Sequence, residues 1–397
     1  MSEVSLLLLG LTTVSAVYWL AALIAARGFG RLRVPSTEFH PPVTVLKPLC
    51  GADQYLYENL RSFCEQNYPG FQVIFGVRAS DDPAIRVVRR LIREFPDRDL
   101  TLVISDRLVG ANLKVSNLAN LYQHAKYRTL VLSDSDIRVG PDYLRMVVAP
   151  LEDRRVGLVT CLYKGVATDG IWSTLGAMFI NEWFFPSALV ATRLETLRYG
   201  FGATLACRKE MIEAIGGFES LAGYLADDYM LGRLLTSRGF SIVLSPYVVE
   251  TVVVERQFTT LFFHELRWTR TFRTARPLGY LLSVVTYGLP LSLLLLVASR
   301  FAGVAVIAFI GHLVLRLING VVVRRVLRAP GQWSVMWLVP MRDALSFTLW
   351  ILSFVGRSVR WNGHRFRVHR DGTFRLIREP GAGAVTSTPV RERPATG

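Results

Sequence analysis

Cysteine and charged residues are scarce in this sequence. Four cysteines occur in 397 residues, far apart and without a CxxC pair: Cys50, Cys64, Cys161 and Cys207. Their number excludes a scaffold held together by disulfides, their spacing argues against a zinc site, and they are interpreted as reduced thiols in a cytosolic compartment. Charged residues make up 19% of the chain and hydrophobic residues 51%. Such a chain is not intrinsically disordered, and it is too apolar to be soluble throughout.

Acidic residues are few in comparison with basic ones. The chain has 31 acidic and 46 basic residues, which gives a net charge of +15. This excess indicates an anionic partner, which could be a nucleic acid, the anionic lipids of an inner leaflet or a phosphate-bearing substrate. No nucleic-acid-binding module is recognisable and long apolar segments are present, so we expect no nucleic acid partner.

The first long apolar segment, residues 5–26, carries no charge and is long enough to cross a bilayer as a helix. Arg27, Arg31 and Arg33 follow it, and by the positive-inside rule they place the rest of the chain in the cytoplasm. A cleaved signal peptide is the alternative, but no basic residue precedes the apolar run. We therefore predict a transmembrane anchor over residues 1–27.

Apolar segments return in the last third of the chain. Residues 277–326 are predicted to form two transmembrane helices, because residues 278–298 and 301–323 are each long enough to span a bilayer. Basic residues follow the second of these segments. They place the chain on the cytoplasmic side again.

The segment 333–356 is ambiguous, because Pro340, Arg342 and Asp343 interrupt its apolar run. A charge at the centre of a transmembrane helix costs about 2.5–3.5 kcal/mol on insertion scales. We therefore expect this segment to re-enter the membrane or to lie at its interface, and a third C-terminal span is the alternative. Residues 357–397 are predicted to be a basic tail that becomes disordered toward its end.

Between the apolar ends, residues 28–255 alternate β-rich runs with stretches of helical spacing. The β-rich runs are residues 43–49, 71–79, 100–105, 129–136 and 157–163. Alternation of this kind predicts an α/β fold with a doubly wound, mostly parallel sheet. Ligands of such sheets bind at the carboxyl ends of the strands, so the acidic residues that follow these strands are candidates for a functional site.

Two acidic pairs follow predicted strands. Asp81 and Asp82 precede a predicted helix that begins at Pro83, and they could simply cap that helix. Asp134 and Asp136 follow a strand of the buried type, and an extended turn would direct both carboxylates to the same side. Hard oxygen ligands at that spacing suit Mg²⁺ or Mn²⁺ carrying a diphosphate, and a solvated turn is the alternative.

A third acidic pair, Asp227 and Asp228, stands before a stretch with helical spacing. These residues either cap the helix and interact with its dipole, or provide a general base that takes a proton from an acceptor hydroxyl. Lys114 lies in a glycine- and asparagine-containing turn at residues 110–117. This turn could bind a nucleotide or only cap a helix.

Residues 256–276 form a basic, aromatic and amphipathic segment that leads into the apolar C-terminal region. It contains His264, Arg267 and Trp268 in the pattern HxxRW. One interpretation is an interfacial helix anchored by tryptophan and arginine. Another is contact of Arg267 and Trp268 with a diphosphate, because a guanidinium group donates two parallel hydrogen bonds to phosphate. Both interpretations can hold together.

In their order along the chain, these motifs resemble the D, D, D, (Q/R)xxRW signature of family 2-type inverting glycosyltransferases, which have the GT-A fold. Residues 47–52, 67–69, 81–85, 133–139 and 227–229 resemble ceramide glucosyltransferases of family 21. The bacterial hopanoid-biosynthesis glycosyltransferases of the same group are more similar still, through residues 43–51, 157–163, 180–184 and 244–251. The resemblance covers residues 1–378.

The resemblance implies a Rossmann-like GT-A domain that transfers a sugar from a UDP-sugar, with inversion. Asp228 resembles the catalytic base, and Arg267 and Trp268 the conserved end of the closing motif. The donor-binding candidates are Asp82, Lys114, Asp134 and His264. The metal candidates, for Mg²⁺ or Mn²⁺, are Asp134 and Asp136. His264 stands where the family has Gln or Arg, and a histidine can still donate to phosphate, better when it is protonated.

The acceptor implied by the resemblance is the hydroxyl of a membrane lipid, either a bacteriohopanetetrol-type hopanoid or, as the alternative, ceramide. The donor is UDP-glucose or UDP-N-acetylglucosamine. We expect a multi-pass protein of the bacterial inner membrane whose catalytic domain is cytoplasmic. A hypothesis of another class is a non-catalytic membrane protein, for binding or transport, whose acidic residues are only helix caps.

Overall fold

The computed structural model describes residues 2–33, 37–168, 170–329, 335–356, 358–361, 364–369 and 372–377. Its helices are α1 (Glu3–Phe29), α2 (Leu56–Cys64), α3 (Ala84–Glu94), α4 (Leu113–Tyr122), α5 (Tyr143–Val148), α6 (Gly170–Met178), α7 (Phe185–Leu194), α8 (Lys209–Ala214), α9 (Asp227–Thr236), α10 (Phe258–Ala275), α11 (Pro277–Leu282), α12 (Gly288–Ala298), α13 (Gly303–Val326) and α14 (Val339–Ser353). Its strands are β1 (Val43–Pro48), β2 (Phe71–Val77), β3 (Asp99–Ile104), β4 (Thr129–Leu132), β5 (Ile137–Arg138), β6 (Val156–Ala167), β7 (Leu205–Arg208), β8 (Ser241–Val253), β9 (Ser358–Trp361), β10 (His364–Val368) and β11 (Phe374–Leu376). A π-helical turn at Phe179–Phe184 joins α6 to α7.

The main sheet is mixed, with the strand order β3-β2-β1-β4-β7-β6-β8-β5. Strands β3, β2, β1 and β4 are parallel, and β7 is antiparallel to both β4 and β6. Strand β8 is parallel to β6, and β5 closes the edge in antiparallel orientation. Every residue of β1 and β2 is buried, as expected for parallel strands that are covered on both faces. The predicted α/β class is confirmed. The neighbouring strands β3, β2, β1 and β4 form a continuous parallel half, β6 and β8 run in the same direction, and β7 and β5 run in the opposite one.

Alternate residues of the central strands feed two apolar cores, one on each face of the sheet. One core contains residues of α2, α3 and α5, among them Phe63 and Val88. The other contains residues of α4 and α7, and it also includes Trp19 and Ala22 of α1. The indole Nε1 of Trp19 donates to the carbonyl of Thr286 at 3.1 Å. The N-terminal helix is therefore part of the core rather than a loosely tethered anchor.

Three of the described helices are long and apolar enough to cross a membrane: Glu3–Phe29, Gly303–Val326 and Val335–Ser353. The segments Pro277–Thr286 and Gly288–Ala298 pass that test only as a pair, which is bent by 64°. The sequence predicted one continuous helix there, and the structure corrects this. The second segment begins at Gly288, where an added Cβ would clash with Ser15 of α1 and His312 of α13. Only glycine therefore allows the start of α12 to pack this closely against both helices.

The charged residues that interrupt the segment 333–356 are neutralised inside the protein. Arg342 pairs with Glu265 of α10, and Asp343 pairs with Arg316 of α13, each at 2.7 Å. All four side chains are buried. The insertion cost that argued against a span applies to unpaired charges, so these residues are compatible with a helix at membrane depth.

Strands β9, β10 and β11 form a small antiparallel sheet where the sequence predicted only a basic tail. The rings of Phe366 and Phe374 pack edge to face, with centroids 4.9 Å apart. The backbone N–H of Phe374 donates to the carbonyl of Gly223 at 3.2 Å, which docks the small sheet against the loop before α9. Residues 380–397, where the tail was predicted to be disordered, lie outside the described residues.

Candidate active site

A large cavity, with a volume of about 1170 Å³, opens at the carboxyl ends of β1, β2 and β4. Its wall contains every site residue predicted from the sequence: Asp82, Lys114, Asp134, Asp136, Asp228, His264, Arg267 and Trp268. The parallel half of the sheet explains why the first four of these residues converge, because the turns after neighbouring parallel strands share one edge. Asp228 is brought to the cavity by α9, and the HxxRW residues by α10. The role of each residue remains a prediction, and the contacts below show what each side chain can do.

Asp82 lies in the turn between β2 and α3. Its carboxylate accepts backbone N–H groups from Gly51 at 3.0 Å and from Ala84 at 2.9 Å. The bond from Ala84 belongs to the start of α3, and the bond from Gly51 holds the loop after β1, where glycine adopts φ +73°. Asp82 therefore shapes the loop that forms one wall of the cavity, and it also accepts the first backbone N–H of α3.

Lys114 joins two of the acidic motifs. Its Nζ lies 2.6 Å from Oδ1 of Asp134 and 3.6 Å from Oδ2 of Asp227. Asn112 fixes the start of α4, because its side-chain oxygen accepts the backbone N–H of Lys114 at 3.0 Å. Burial alone would lower the pKa of Lys114, but the charges of Asp134 and Asp227 raise it. The ammonium group is therefore a fixed positive charge in the cavity wall.

Asp136 is held by the end of β8, where Oγ1 of Thr251 donates to its Oδ2 at 2.6 Å. Burial, and then the neighbouring charge of Asp134, raise the pKa of Asp136. Two carboxylates this close in sequence repel each other when both are ionised. A cation between them and a substrate would favour the ionised form of both.

Oxygen ligands suit the metal predicted at this position. The described residues contain no group of three or more His, Cys, Asp or Glu side chains that could hold a metal ion. Mg²⁺ is commonly bound through one or two carboxylates together with substrate phosphates, and Mn²⁺ accepts the same ligands. Asp134 and Asp136 provide two carboxylates in the cavity wall. The donor set therefore fits a divalent cation that binds together with a diphosphate.

Asp228, in the first turn of α9, faces the same space as Asp134. An added Cβ on Gly202 would lie 3.1 Å from Oδ2 of Asp228 and 3.6 Å from Oδ2 of Asp134, so both carboxylates border a space that this glycine leaves open. Burial, and then the charge of Asp227, raise the pKa of Asp228 to about 6. A carboxylate with a raised pKa is a stronger base than an exposed one and is still ionised at neutral pH.

Helix α10 brings the HxxRW motif to the opposite wall. Nδ1 of His264 lies 2.5 Å from Oε1 of Glu255, and the His264 ring packs against Trp268 at 4.4 Å. Because Glu255 engages Nδ1, only Nε2 of His264 is left to contact a substrate. Burial lowers the pKa of Arg267, while the charges of Asp134 and Asp136 act in the opposite direction. Arg267 therefore lies within electrostatic reach of the predicted metal pair.

Sequence analysis did not assign roles to Lys47 and Glu255. Lys47 is fully buried beneath the site, with its Nζ 3.4 Å from the hydroxyl of Ser133 and 3.8 Å from the ring centroid of Phe63. It also donates to the carbonyl of Asp134, and burial lowers its pKa to about 7. Lys47 could have been singled out from the sequence, because a lysine inside a mostly apolar strand is unusual. The pairing of Glu255 with His264 could not have been predicted from the sequence.

Comparison with known proteins places the chain among glycosyltransferases. The sequence profile described as Glycosyl transferase family 21 matches residues 7–374. Ceramide glucosyltransferase 1 of Caenorhabditis elegans is 31% identical over 208 residues, covering 52% of this chain and 44% of that protein. Ceramide glucosyltransferase of Komagataella phaffii is 37% identical over 101 residues, covering 24% and 20%. The chain spans less than half the length of the curated relatives it matches.

Among solved structures, the mannosyltransferase PcManGT from Pyrobaculum calidifontis, in complex with GDP-Man and Mn²⁺, is similar with a TM-score of 0.56. The two chains share 19% sequence identity, over 89% of this chain and 99% of the other. At this identity the similarity shows the fold alone. The GT-A fold predicted from the sequence is confirmed by it.

Proposed function

Because this chain belongs to glycosyl transferase family 21, we propose that it moves a sugar, with inversion, from a UDP-sugar to the hydroxyl of a membrane lipid. The observation that carries this proposal is the meeting of Asp82, Asp134 and Asp228 with Arg267 in one cavity. Helices apolar enough to cross a membrane pack directly on the domain that forms this cavity. A soluble acceptor would not require them.

Asp228 is the proposed general base. Its carboxylate takes the proton of the lipid hydroxyl while that oxygen attacks the anomeric carbon of the sugar. The bond between the anomeric carbon and the phosphate oxygen breaks, and UDP leaves with the bonding electrons. Attack from the side opposite the leaving group inverts the anomeric centre. The pKa of about 6 keeps Asp228 ready to accept a proton at neutral pH.

The positively charged side chains in the cavity wall are proposed to hold the leaving diphosphate. Lys114 and Arg267 carry positive charge beside Asp134, and Asp82 shapes the loop that meets the nucleotide. When bound, Mg²⁺ or Mn²⁺ held by Asp134 and Asp136 would offset the negative charge of the diphosphate. Because Nδ1 of His264 donates to Glu255, Nε2 would donate to the diphosphate only when the ring is an imidazolium.

We propose a bacteriohopanetetrol-type hopanoid as the acceptor, on the stretches of sequence that resemble hopanoid glycosyltransferases. The similarity to ceramide glucosyltransferases from two eukaryotes favours ceramide as the second candidate. The donor is UDP-N-acetylglucosamine or UDP-glucose. The protein is proposed to lie in the bacterial inner membrane with the cavity on the cytoplasmic side, because Arg27 lies in the last turn of α1 and Arg31 and Arg33 follow that helix.

The experiment is an assay of UDP release from purified protein in vesicles. Each UDP-sugar is offered with Mg²⁺ or Mn²⁺ and with either bacteriohopanetetrol or ceramide, and the lipid product is identified by mass spectrometry. We expect UDP release that one lipid stimulates and that stops in Asp228→Asn. Absence of UDP release from wild type in every combination contradicts the proposal and favours a non-catalytic binding or transport protein.

A further inference from the structure

The cavity has a second, apolar end that the donor-binding residues do not use. This end is lined by small and apolar residues of α7, the end of α10 and α11: Ala188, Ala191, Leu194, Ala275, Gly279 and Tyr280. The whole cavity, about 1170 Å³, exceeds the 300–1,000 Å³ that is typical of pockets for one small ligand. It has room for a second substrate beside the nucleotide sugar.

The apolar end lies against the helices that are candidates for crossing the membrane. The hydroxyl of Tyr18 in α1 donates to Oγ of Ser187, a cavity residue of α7, at 2.8 Å. Nε1 of Trp183, also in the cavity wall, donates to Oγ1 of Thr286 at 2.9 Å, just before the bend into α12. The wall formed by α7 and the turn before it is therefore fixed to α1 and to the segment that precedes α12.

The outer surface at this end is apolar as well. Leu278, Leu281 and Leu282 of α11 are 68%, 49% and 60% exposed, and Leu194 at the end of α7 is 81% exposed. Such a cluster of large exposed apolar side chains beside an opening is typical of a surface that contacts lipid. The ends of the two helices are joined by Arg276 and Glu195, whose Nη2 and Oε2 are 2.8 Å apart.

An aromatic wall connects the apolar end to the proposed base. Tyr229 directly follows Asp228, and its ring stacks on Tyr199 with centroids 5.5 Å apart. Tyr199 in turn lies beneath the guanidinium group of Arg276, 5.8 Å from it. All of these residues line the cavity. A lipid alcohol could thus keep its hydrocarbon among α7 and α11 while its hydroxyl reaches Asp228.

We propose that the apolar end, between α7 and α11, is the acceptor site, and that the lipid enters it sideways from the bilayer between these two helices. This inference rests on the proposed function and adds the place and the route of the acceptor. It also predicts which part of the chain selects the lipid. The residues between 183 and 199 and between 272 and 283 set the width of this end, independently of the donor.

The test is to fill the apolar end with Ala191→Trp. The matched control is Thr192→Trp, because Thr192 is the next residue of the same helix, does not line the cavity and only donates to the carbonyl of Leu189. We expect Ala191→Trp to lose at least tenfold in transfer to vesicle-borne bacteriohopanetetrol or ceramide. Its affinity for UDP and its rate of UDP-sugar hydrolysis without lipid should stay within twofold of wild type, and Thr192→Trp should keep all three properties.

A second measurement does not depend on a substituted protein. Wild type in vesicles is labelled with a ceramide that carries a diazirine in its acyl chain, and the labelled peptides are identified. We expect labels at residues 185–199 and 271–283 that decrease when unlabelled acceptor is added. Normal lipid transfer by Ala191→Trp, or labels confined to other faces, overturns the acceptor site alone. UDP-sugar hydrolysis by wild type without transfer to any lipid overturns the proposed function instead.

Discussion

Arg342 of α14 and Glu265 of α10 form a bidentate ion pair, with N–O distances of 2.8 and 2.7 Å. Both side chains are almost completely buried, and the Arg342 guanidinium also lies 5.5 Å from the ring of Phe179. Phe179 stacks on Trp268 at 5.9 Å. Arg342, from the apolar C-terminal region, therefore supports α10, the helix that carries the HxxRW motif, in two ways. It pairs with Glu265, and it contacts Phe179, which stacks on Trp268.

We expect Arg342→Met to destabilise the protein by about 3–5 kcal/mol, because it leaves the Glu265 carboxylate buried without its partner. Thermal unfolding in detergent measures the change. Arg128→Met is the control, since Arg128 pairs with Glu210 in an exposed ion pair, and it should leave the melting temperature unchanged. An equal melting temperature for Arg342→Met and wild type would contradict the structural role of this pair.

Asp228→Asn is expected to reduce kcat by about 10²–10⁴-fold, because an amide cannot accept the proton of the acceptor hydroxyl. The dissociation constant of UDP should change little, since the proposed role of Asp228 is toward the acceptor. Steady-state kinetics and calorimetric titration with UDP measure the two quantities. Asp142→Asn, which changes an exposed carboxylate outside the cavity wall, is the control. Normal turnover by Asp228→Asn would show that Asp228 is not the general base.

The pH dependence of kcat/KM should report the same carboxyl group. The pKa of Asp228 is raised from its usual value to about 6, so the group is ionised and active above that pH and protonated below it. We expect kcat/KM to fall about tenfold per pH unit below pH 6 and to level off above it. The measurement is a pH profile of the wild-type enzyme at low acceptor concentration. A flat profile down to pH 5 would show that another group is the base.

Asp134→Asn should weaken the binding of UDP when metal is present. We expect the dissociation constant in Mn²⁺ to rise by at least about tenfold, which corresponds to about 1.4 kcal/mol. In EDTA the variant and wild type should differ much less, because the carboxylate then has no cation to bind. Titration calorimetry under both conditions makes the comparison. If the two proteins respond equally to Mn²⁺, Asp134 is not a metal ligand.

Gly202→Ala tests whether the space between Asp228 and Asp134 is used. The added Cβ would lie 3.1 and 3.6 Å from their carboxylate oxygens, where substrate is proposed to sit. We expect kcat/KM to fall by about tenfold to a hundredfold with no loss of thermal stability. The control is Gly223→Ala, since an added Cβ there meets no atom within 4 Å. Full activity of Gly202→Ala would place the substrates elsewhere.

The sequence predicted the parallel half of the fold well, because the strands there are short β-rich runs separated by stretches of helical spacing. Strand β1 was predicted at 43–49 and lies at Val43–Pro48, and β2 was predicted at 71–79 and lies at Phe71–Val77. Strand β8 was not predicted. Its residues alternate irregularly between buried and partly exposed, and its pairing with β6 contains register shifts, so no clear period marks it.

The candidate site could be assembled from motifs, but not its supporting contacts. Acidic residues after predicted strands pointed to one edge of the sheet, and the structure brings them there. The pairs Lys114–Asp134 and Arg342–Glu265 join segments that are distant in sequence. Such pairs follow from packing between separate elements of the fold, on which a single sequence carries no periodic signal. The bend before Gly288 was also missed, although Pro290, which has no backbone N–H to donate to the carbonyl of Thr286, marks it in the sequence.

The most direct test of the central claim is the anomeric configuration of the lipid product. Wild-type protein in vesicles is supplied with an α-linked UDP-sugar, a divalent cation and the lipid alcohol, and the product is analysed by nuclear magnetic resonance. The account predicts a β-linked glycolipid whose formation requires Asp228. An α-linked product, or the same β-linked product from Asp228→Asn at the wild-type rate, would contradict it.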